Sequence, residues 1–413
     1  MSISGQPPYE YQETDRIFYV DNLARKAGKD AFNLTTGTLF NKRGGPYFAE
    51  PVHDVLRKIG PSILHEAMYE SITKRQAEFA QVILDLLFKE EIHAATFASH
   101  GGSGALRYLL EFMKSKDSAF MQRMKITKDM PVIVPDPSWP NHEIIAEQCG
   151  YKVLKAQYLD NNEASIEDII DVASDTRRSC ILLLQAACHN PTGKDLTVDQ
   201  WTELAMFCAE KGHIPLLDIS FPGFVGEPWE DAYPSRIFSK LGVGHAVGVS
   251  ASKAYCIQGW RAGLACIMSE NEKQRQLDQS QLTQLSEALP LHADALGAFT
   301  IRRVQKTRGG QMLKVWRDIR LQHETRRQML HERIPEWTPY LNGNAHFVLL
   351  PYTQYTLNRM QKNAKIYLAK FGADDEPGAR LNLGRLQTSR MDEFVEKIQP
   401  YKEEFAVNKK RSA

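Results

Sequence analysis

The sequence predicts an α/β fold in which helices cover a largely parallel β-sheet. From about residue 95 to about residue 265, short apolar runs that favour strands alternate with segments of helical pattern. Polar clusters follow several of these runs, and open α/β sheets bind ligands at the carboxyl ends of their strands. The chain has 413 residues, which exceeds one ordinary domain, so we expect a large domain and a smaller one.

The composition argues against several classes of protein. The chain has 51 Lys and Arg residues against 50 Asp and Glu residues, so it lacks the basic surplus of a nucleic-acid-binding surface. Its six cysteines are scattered, without CxxC pairs or histidines at ligand spacing, so we expect reduced thiols and no metal site. The sequence shows no signal-peptide pattern and no apolar run of membrane-spanning length. We therefore expect a cytoplasmic protein that binds neither nucleic acid nor membranes.

Two glycine-containing segments come first along the chain. The β-like run Phe32–Phe40 contains Gly37, which permits close backbone approach or an unusual φ, although an ordinary turn is the alternative. The run Ala95–Leu110 reads as a strand that feeds a glycine-rich turn and an amphipathic helix. Free N–H groups at such a helix start attract anions. Gly102, Ser103 and Gly104 are therefore candidates for a phosphate site.

The next two predicted strands also lead into polar loops. After Val132–Val134, prolines flank Trp139, which restricts the backbone and can hold the indole in one place. A packed core tryptophan is the alternative, and His142 taken alone would be a structural histidine. The strand Ile181–Gln185 leads to Asn190. This asparagine either points into the crevice at the strand end or belongs to a simple turn.

An acidic residue, Asp218, ends the apolar run that starts at Ile214. A buried carboxylate is costly unless it meets a positive partner. A protonated ring nitrogen of a ligand would supply that partner.

The segment Gly248–Gly263 places Lys253 close in sequence to two serines and an arginine, namely Ser250, Ser252 and Arg261. A lysine can form a Schiff base with an aldehyde cofactor, while hydroxyls and a guanidinium hold the phosphate of that cofactor. The alternative is a strand-to-loop junction with a solvated lysine and a helix-capping serine.

The C-terminal part is richer in helix. Arg302–Arg333 is charged and sparsely apolar, so we expect a partly exposed helix that links to the smaller domain. Two strand-like runs follow, Asn344–Leu350 and Ala379–Gly384, and the second carries Arg380 near its start. A surface ion pair is the alternative for this arginine, because such pairs are common.

Together these motifs resemble the aspartate and aromatic aminotransferase family, which are pyridoxal phosphate enzymes of fold type I. The segments that carry the resemblance occur in the family's order and span nearly the whole chain: Asp15–Phe18, Asn33–Gly37, Gly102–Arg107, Pro137–His142, Asn190–Gly193, Asp218, Ser250–Lys253, Arg261 and Arg380–Asn382. The resemblance implies a large cofactor-binding domain at 47–310, with a mostly parallel seven-stranded sheet flanked by helices. It also implies a smaller α/β domain formed by 1–46 and 311–413, and a homodimer with shared active sites.

The resemblance implies a role for each residue around the cofactor ring. Lys253 resembles the lysine that forms the internal aldimine and shuttles the proton. Asp218 resembles the carboxylate that keeps the pyridine nitrogen protonated, with support from His142; a cationic ring then stabilises the negative charge that develops at the substrate's Cα. Trp139 resembles the indole stacked on the ring, and Asn190 resembles the donor to the phenolic oxygen.

The resemblance also implies which residues bind the phosphate of the cofactor and which bind the α-carboxylate of the substrate. Those implied around the phosphate are Gly102, Ser103, Ser250, Ser252, Arg261 and, from the second subunit, Tyr69. Arg380 resembles the bidentate clamp on the substrate's α-carboxylate, since a planar fork suits a planar anion. Gly37 would lie beside that carboxylate, and Trp139 and Asn190 would also face the substrate.

Phe221 departs from the family pattern, which has tyrosine three residues after the aspartate. Phenylalanine cannot donate to the phenolic oxygen, which leaves Asn190 as its donor. Because loss of a donor to the charged form raises a protonation pKa, we expect the protonated aldimine to persist above neutral pH.

A second departure lies between Leu277 and His292. Family members that select aspartate or glutamate carry an arginine there for the distal carboxylate, but this chain has Thr283 near that position and no arginine between Arg275 and Arg302. An unpaired second carboxylate would be costly. Acidic amino acids are therefore not the expected substrates, unless a basic residue arrives from elsewhere in the fold.

The sequence thus predicts an aminotransferase that acts on an L-amino acid with a neutral, aromatic or otherwise bulky side chain and on a 2-oxo acid. The two departures leave open a pyridoxal phosphate enzyme with another outcome, such as a lyase, a β- or γ-replacement enzyme or an oxidative deaminase. A cofactor-binding regulator without turnover is a third possibility, which lacks a DNA-binding segment to support it.

Overall fold

The computed structural model of the chain describes residues 16–41, 43–60, 72–90, 92–114, 119–124, 127, 129–288, 295–373, 376–401 and 404. Tyr69 and the segment 290–292 lie outside the described residues. Within these ranges, no helix combines the length and apolar character that crossing a membrane requires.

The strands of the described chain are, in order, β1 (Phe32–Asn33), β2 (His93–His100), β3 (Val132–Asp136), β4 (Val153–Gln157), β5 (Leu159–Asp160), β6 (Glu163–Ala164), β7 (Ile181–Gln185), β8 (Ile214–Ile219), β9 (Ala246–Ser250), β10 (Ala262–Ser269), β11 (Phe347–Leu350), β12 (Ile366–Tyr367), β13 (Ala369–Lys370) and β14 (Ala379–Asn382).

The α-helices are α1 (Arg16–Lys26), α2 (Glu50–Arg57), α3 (Ile72–Leu87), α4 (Gly101–Lys114), α5 (Ala119–Arg123), α6 (Asn141–Gln148), α7 (Glu167–Asp175), α8 (Val198–Lys211), α9 (Pro228–Asp231), α10 (Tyr233–Lys240), α11 (Ala251–Ala254), α12 (Glu272–Ala288), α13 (Ala295–Arg333), α14 (Thr338–Leu341), α15 (Gln354–Ala364) and α16 (Met391–Ile398). Short 3₁₀ helices occupy Pro335–Trp337, Leu383–Arg385, Thr388–Arg390 and Gln399–Tyr401.

The central sheet has seven strands in the order β2-β10-β9-β8-β7-β3-β4. Strands β4, β3, β7, β8 and β9 pair in parallel, whereas β10 runs antiparallel to both β9 and β2. The predicted α/β fold with a mostly parallel sheet is therefore confirmed. The reversal of β10 has a consequence for the site, because the start of this strand lies at the same edge as the carboxyl ends of its neighbours.

Both faces of this sheet are buried under helices. In β7, Leu182 and Leu184 belong to one apolar core, while Ile181 and Leu183 belong to the core on the opposite face. Side chains alternate between the faces of a strand, and a strand covered on both sides reads as a continuous apolar run. The run Ile-Leu-Leu-Leu is therefore typical of the centre of such a sheet.

Local signals set the ends of the helices between strands, as α8 illustrates. The Thr197 hydroxyl accepts from the Gln200 N–H at 3.2 Å, and the Gln200 side chain accepts from the Thr197 N–H at 2.9 Å. This reciprocal pair satisfies two N–H groups that the helix itself leaves open. At the other end, Gly212 has a φ of 72°, the left-handed conformation that stops a helix at little cost.

A third apolar core is formed by the two ends of the described chain. Phe32 pairs in parallel with Ile366, and both are buried in this core. The antiparallel sheet β11-β14-β13 contributes further residues. The predicted linking helix is α13. It places Trp316 in the core that contains Leu182 and Leu184, and Leu330 in this third core. The domain limits at residues 47 and 311 remain a prediction.

Candidate functional site

The polar clusters predicted from the sequence meet at one edge of the central sheet. Ser103 follows β2, Trp139 follows β3, Asn190 follows β7, and Lys253 follows β9. Carboxyl ends of neighbouring parallel strands share an edge, which is where open α/β sheets bind ligands. Arg261 joins them because it immediately precedes the reversed strand β10.

These residues line a cavity of about 770 Å³. The lining from the edge of the central sheet consists of Gly102, Ser103, Trp139, Asn141, Asn190, Ser220, Phe221, Ser250, Lys253, Gln258, Gly259 and Arg261. The remaining lining comes from sequence-distant segments and consists of Ile17, Phe18, Asp21, Asn22, Arg25, Thr36, Gly37, Thr38, Phe347 and Arg380.

Lys253 provides an amine with altered acidity inside this cavity. Its Nζ lies 4.1 Å from the centre of the Phe221 ring and 5.7 Å from that of the Trp139 ring. Burial lowers the pKa of Lys253 to about 8, with Arg261 and Arg380 acting in the same direction and Asp218 opposing them. An amine with such a pKa is partly uncharged near neutral pH and can act as a nucleophile.

Asp218 lies beneath the lining as a buried carboxylate with two hydrogen-bond donors. His142 Nε2 is 2.9 Å from its Oδ2, and the Ser220 hydroxyl donates to its Oδ1 at 2.6 Å. Burial acts to raise the pKa of Asp218, but His142, Lys253 and Ser220 outweigh it and leave the pKa below its ordinary value. The group is therefore an anion at neutral pH, as a counter-charge to a cation requires.

Gln185 and Ser138, neither of which was predicted as a site residue, extend this arrangement. The Asn190 N–H donates to Gln185 Oε1 at 2.9 Å, and Gln185 Nε2 lies 3.3 Å from Ser138 Oγ. Ser138 Oγ is in turn 3.0 Å from His142 Nδ1. Because a carboxylate only accepts, the His142 nitrogen facing Asp218 carries a proton. A hydrogen-bonded path thus joins Asn190 to Asp218.

The backbone at the start of α4 leaves space for an anion beside Arg261 and Ser250. Gly101 has a φ of 70°, and a Cβ built on it would lie 2.8 Å from Arg261 Nη2. A Cβ on Gly102 would lie 3.0 Å from Ser250 Cβ. Glycine therefore keeps the start of α4 open beside the guanidinium and hydroxyl groups. N–H groups at a helix start, together with a cation, suit a phosphate.

Ser252, which was predicted at the phosphate, is not among the described residues that line the cavity. The Ser252 hydroxyl contacts the backbone instead: it accepts from the Ala262 N–H at 3.0 Å and lies 3.1 Å from the Trp260 carbonyl oxygen. Its place in the structure is to hold the loop that carries Arg261. Tyr69 lies outside the described residues.

Arg380 reaches the cavity from β14 and is held in a fixed orientation. Its Nη1 donates to Asn190 Oδ1 at 2.6 Å, and its Nη2 donates to the Thr35 carbonyl oxygen. The guanidinium carbon lies 4.5 Å from the centre of the Phe347 ring. Gly37 borders the same region, where a Cβ would lie 3.3 Å from Phe347 Cζ. The planar fork is therefore oriented before any ligand binds.

Helix α1 forms a wall of the cavity that the predicted site did not include. It contributes Ile17, Phe18, Asp21, Asn22 and Arg25 to the lining. The only hint in the sequence was the position of Ile17 and Phe18 inside the first family-like segment, Asp15–Phe18. In contrast, Thr283 lies exposed on α12, where its hydroxyl donates to the Gln279 carbonyl oxygen at 2.9 Å, and it is not part of the lining.

The sequence of this chain matches a protein family and several known proteins. Residues 57–398 match the family described as aminotransferase class I and II. Aspartate aminotransferase from Pseudomonas aeruginosa is 30% identical over 262 residues, which cover 59% of this chain and 63% of that protein. Mitochondrial aspartate aminotransferase from Dictyostelium discoideum is 28% identical over 364 residues, or 82% of this chain and 81% of that protein.

A solved structure shares the fold over nearly the full length of both chains. It is the crystal structure of an aromatic-amino-acid aminotransferase from Burkholderia pseudomallei covalently bound to pyridoxal phosphate, with a TM-score of 0.82. The match covers 96% of this chain and 99% of that chain at 20% identity.

Proposed function

The chain belongs to the aminotransferase class I and II family and is a pyridoxal-phosphate-dependent aminotransferase, and we propose that it transfers the amino group of an L-amino acid with a neutral, bulky or aromatic side chain to a 2-oxo acid. The observation that carries this proposal is the joint placement of Lys253, Arg261 and Arg380 around one cavity. This transfer requires an amine, a cation that binds the cofactor's phosphate and a guanidinium that binds the substrate's carboxylate, and these three residues would supply them in that order.

The residues of the cavity fit the cofactor. The open helix start at Gly101 and Gly102, with Ser250 and Arg261 beside it, suits the phosphate. The anionic Asp218 suits the ring nitrogen, because a buried carboxylate favours a cation nearby. The Asn190 Oδ1 accepts from Arg380, so its Nδ2 is available to donate to the phenolic oxygen of the ring.

When bound, pyridoxal phosphate supplies an aldehyde and a cationic ring that draws electron density from the substrate's Cα. In this proposal Lys253 would hold the aldehyde of the cofactor, and its Nζ would move the proton at the substrate's Cα. Its lowered pKa suits both tasks, since the uncharged amine attacks a carbonyl and accepts a proton. Asp218, held by His142 and Ser220, would keep the ring nitrogen of the bound cofactor protonated.

Arg380 would bind the α-carboxylate that all amino acid and 2-oxo acid substrates share. Bidentate guanidinium–carboxylate pairs are strong and directional. The bonds from Arg380 to Asn190 and to the Thr35 carbonyl hold the fork in place. Clamping this carboxylate orients the Cα–H bond relative to Lys253, which is the main contribution that positioning makes to a proton transfer.

The wall around the substrate side chain supports a neutral amino donor. Ile17, Phe18, Phe221 and Phe347 supply apolar surface to the lining. Among the described lining residues, the arginine without a proposed role is Arg25, whose Nε already donates to Asp21 at 2.6 Å and whose side chain is 68% exposed. An exposed, already paired cation contributes little to binding a second carboxylate.

The relatives do not decide the substrate, because they include aspartate aminotransferases and aromatic-amino-acid aminotransferases. A panel of amino acids would decide it. The holoprotein should convert to the pyridoxamine form fastest with phenylalanine, tyrosine or another bulky neutral amino acid, and release the matching 2-oxo acid. Faster conversion with aspartate and glutamate would contradict the proposed side-chain class, although not the transfer.

A second outcome is favoured by Phe221, which removes a donor from beside the cofactor's phenolic oxygen. An enzyme with altered ring chemistry could release ammonia, or eliminate or replace a side-chain group, instead of transferring the amine. In the same panel, ammonia without the pyridoxamine form would support that outcome. The absence of any spectral change would support a protein that binds the cofactor without turnover.

We also propose a homodimer with shared active sites, because the family resemblance implies one and implies that Tyr69 reaches the phosphate of the second subunit. A cytoplasmic location is proposed on the separate ground of the scattered, unpaired cysteines. Light scattering after gel filtration should give twice the mass of the 46.9 kDa chain. Tyr69→Phe should weaken cofactor binding if this hydroxyl reaches the phosphate from the partner. A monomer with full cofactor affinity would contradict both statements.

A further inference from the structure

A buried ion pair lies at the wall of the cavity that α1 forms, where Asp21 belongs to the lining. Arg385 Nη1 donates to Asp21 Oδ1 at 2.7 Å, and the two side chains are 2% and 4% exposed. Asp21 belongs to α1, whereas Arg385 follows β14, so the pair joins segments 364 residues apart. Neither residue belongs to the motifs that predicted the site.

The pair forms hydrogen bonds with the segment 33–36, which precedes Gly37. Arg385 Nη1 also lies 3.0 Å from Asn33 Oδ1 and 2.8 Å from Thr36 Oγ1. Asp21 Oδ1 accepts from Asn33 Nδ2 at 2.9 Å and from Thr35 Oγ1 at 3.2 Å. Side chains of three of the four residues from 33 to 36 are thus bonded to one charged pair.

The backbone of the same segment orients Arg380. The Thr35 carbonyl oxygen accepts from Arg380 Nη2, and the Thr36 carbonyl oxygen accepts from Asn382 Nδ2. The Asp21–Arg385 pair therefore holds Thr35 by its side chain, while Thr35 holds Arg380 by its carbonyl oxygen. A displacement of this residue would change the direction of the guanidinium fork.

Stability alone is a weak reason for such a pair. Removing two charges from water costs free energy that their attraction repays only in part, so buried ion pairs add little net stability compared with apolar residues of similar size. They can, however, enforce one geometry among several, because each partner must be met at a defined place. The position of this pair behind Thr35 gives that geometry a function.

We propose that Asp21 and Arg385 are positioning residues, which set the orientation of Arg380 toward the α-carboxylate of the substrate through Thr35. They also fix α1, and with it Ile17 and Phe18, against the same segment. Carboxylate recognition and the side-chain wall are thereby coupled through one ion pair. This inference rests on the proposed role of Arg380 as the carboxylate clamp.

The test compares two probes on the holoprotein by isothermal titration calorimetry. 3-Phenylpropionate has the carboxylate and no amine, and 3-phenylpropanamide has the same shape without the charge. Asp21→Asn removes the charge and places an amide donor where the guanidinium groups of Arg385 and Arg25 need an acceptor. We expect roughly tenfold weaker binding of 3-phenylpropionate, the loss typical of a misaligned charged hydrogen bond, and unchanged binding of the amide.

Asp278→Asn is the matched control. Asp278 is also a buried carboxylate, its Oδ2 lies 3.2 Å from Arg123 Nη2, and neither residue lines the cavity. Asp278→Asn should lower the melting temperature without changing the affinity for either probe. If Asp21→Asn is too unstable to purify, Arg385→Lys replaces it, since lysine keeps the charge but cannot reproduce the fork. We expect the same selective loss from that variant.

The inference would be overturned if Asp21→Asn bound each probe with the same affinity as the unaltered protein does. A parallel loss for both probes would also overturn it, because that pattern indicates general damage. Arg380→Lys separates the two proposals. If it weakens 3-phenylpropionate and Asp21→Asn does not, the coupling is wrong and the clamp stands; if Arg380→Lys has no effect, the proposed role of Arg380 is wrong.

Discussion

The cofactor end of the cavity is built from residues that lie at one edge of one sheet, whereas the substrate end is assembled from segments at opposite ends of the chain. Lys253 and Asp218 lie on neighbouring parallel strands or just beyond them. Arg380 in β14, Thr35 in the loop after β1 and Asp21 in α1 are joined by hydrogen bonds. This difference suggests that the chemistry is a property of the sheet edge, while specificity depends on how distant segments pack.

If so, substitutions at the cofactor end should affect the chemical step and those at the substrate end should affect binding. Kinetic constants separate the two, because loss of an interaction made only in the transition state lowers kcat, whereas loss of uniform binding raises KM.

The largest effect is expected at Lys253. Lys253→Ala should lower the rate of amino transfer by on the order of 10⁴-fold, since the variant loses both the covalent link and the group that moves the proton. Rapid-mixing measurement of the half-reaction with an amino acid checks this. Lys155→Ala, at an exposed lysine paired with Glu143, is the control and should leave the rate unchanged. A Lys253→Ala rate within tenfold of the unaltered protein would contradict the assignment.

The next effect is expected at Asp218. Asp218→Asn keeps the shape but removes the negative charge, and loss of one preorganised electrostatic contact typically costs on the order of 10²- to 10³-fold in rate. We expect a fall in kcat with a smaller change in KM. Steady-state kinetics on the purified variant measure both constants. A rise in KM alone would place Asp218 on the binding side of the comparison.

Arg380→Lys should reverse that pattern. Lysine cannot form the bidentate pair, so KM for the amino acid and for the 2-oxo acid should each rise by roughly tenfold to a hundredfold. The effect on kcat should be smaller, provided that saturating substrate still places Cα beside Lys253. Unchanged KM values for both substrates would show that the α-carboxylate is bound elsewhere.

The smallest effect concerns Phe221, which lies between the two ends. With Asn190 as the proposed donor to the phenolic oxygen, the protonated link between Lys253 and the cofactor should persist above neutral pH, as a visible-absorbance titration would show. Phe221→Tyr restores a donor to the charged form and should lower the midpoint pKa by about one unit. A midpoint well below neutral in the unaltered protein would contradict the proposed role of Phe221.

The same contrast explains which features could be predicted from the sequence. The alternation of apolar runs and helical segments indicated the mostly parallel sheet, and a polar residue at a strand end has its position set by that sheet alone. Lys253 and Asp218 could therefore be selected from local motifs. Arg380 was selected by resemblance, because nothing in its own segment separates it from a surface arginine.

Other features depended on contacts that local patterns do not encode. Asp21 and Arg385 are charged residues that would ordinarily be assigned to solvent, and their burial results from packing between α1 and the end of β14. Ser252 was predicted at the phosphate because of its neighbours in sequence, but its hydroxyl is committed to the backbone of the following loop. Such competition between ligand and backbone partners becomes visible only in three dimensions.

The most direct measurement is borohydride reduction of the protein after reconstitution with pyridoxal phosphate, followed by peptide mapping. The predicted result is a yellow protein in which reduction fixes one cofactor per chain on the peptide that contains Lys253. A protein that stays colourless with the cofactor, or a cofactor fixed on another lysine, would contradict the central assignment.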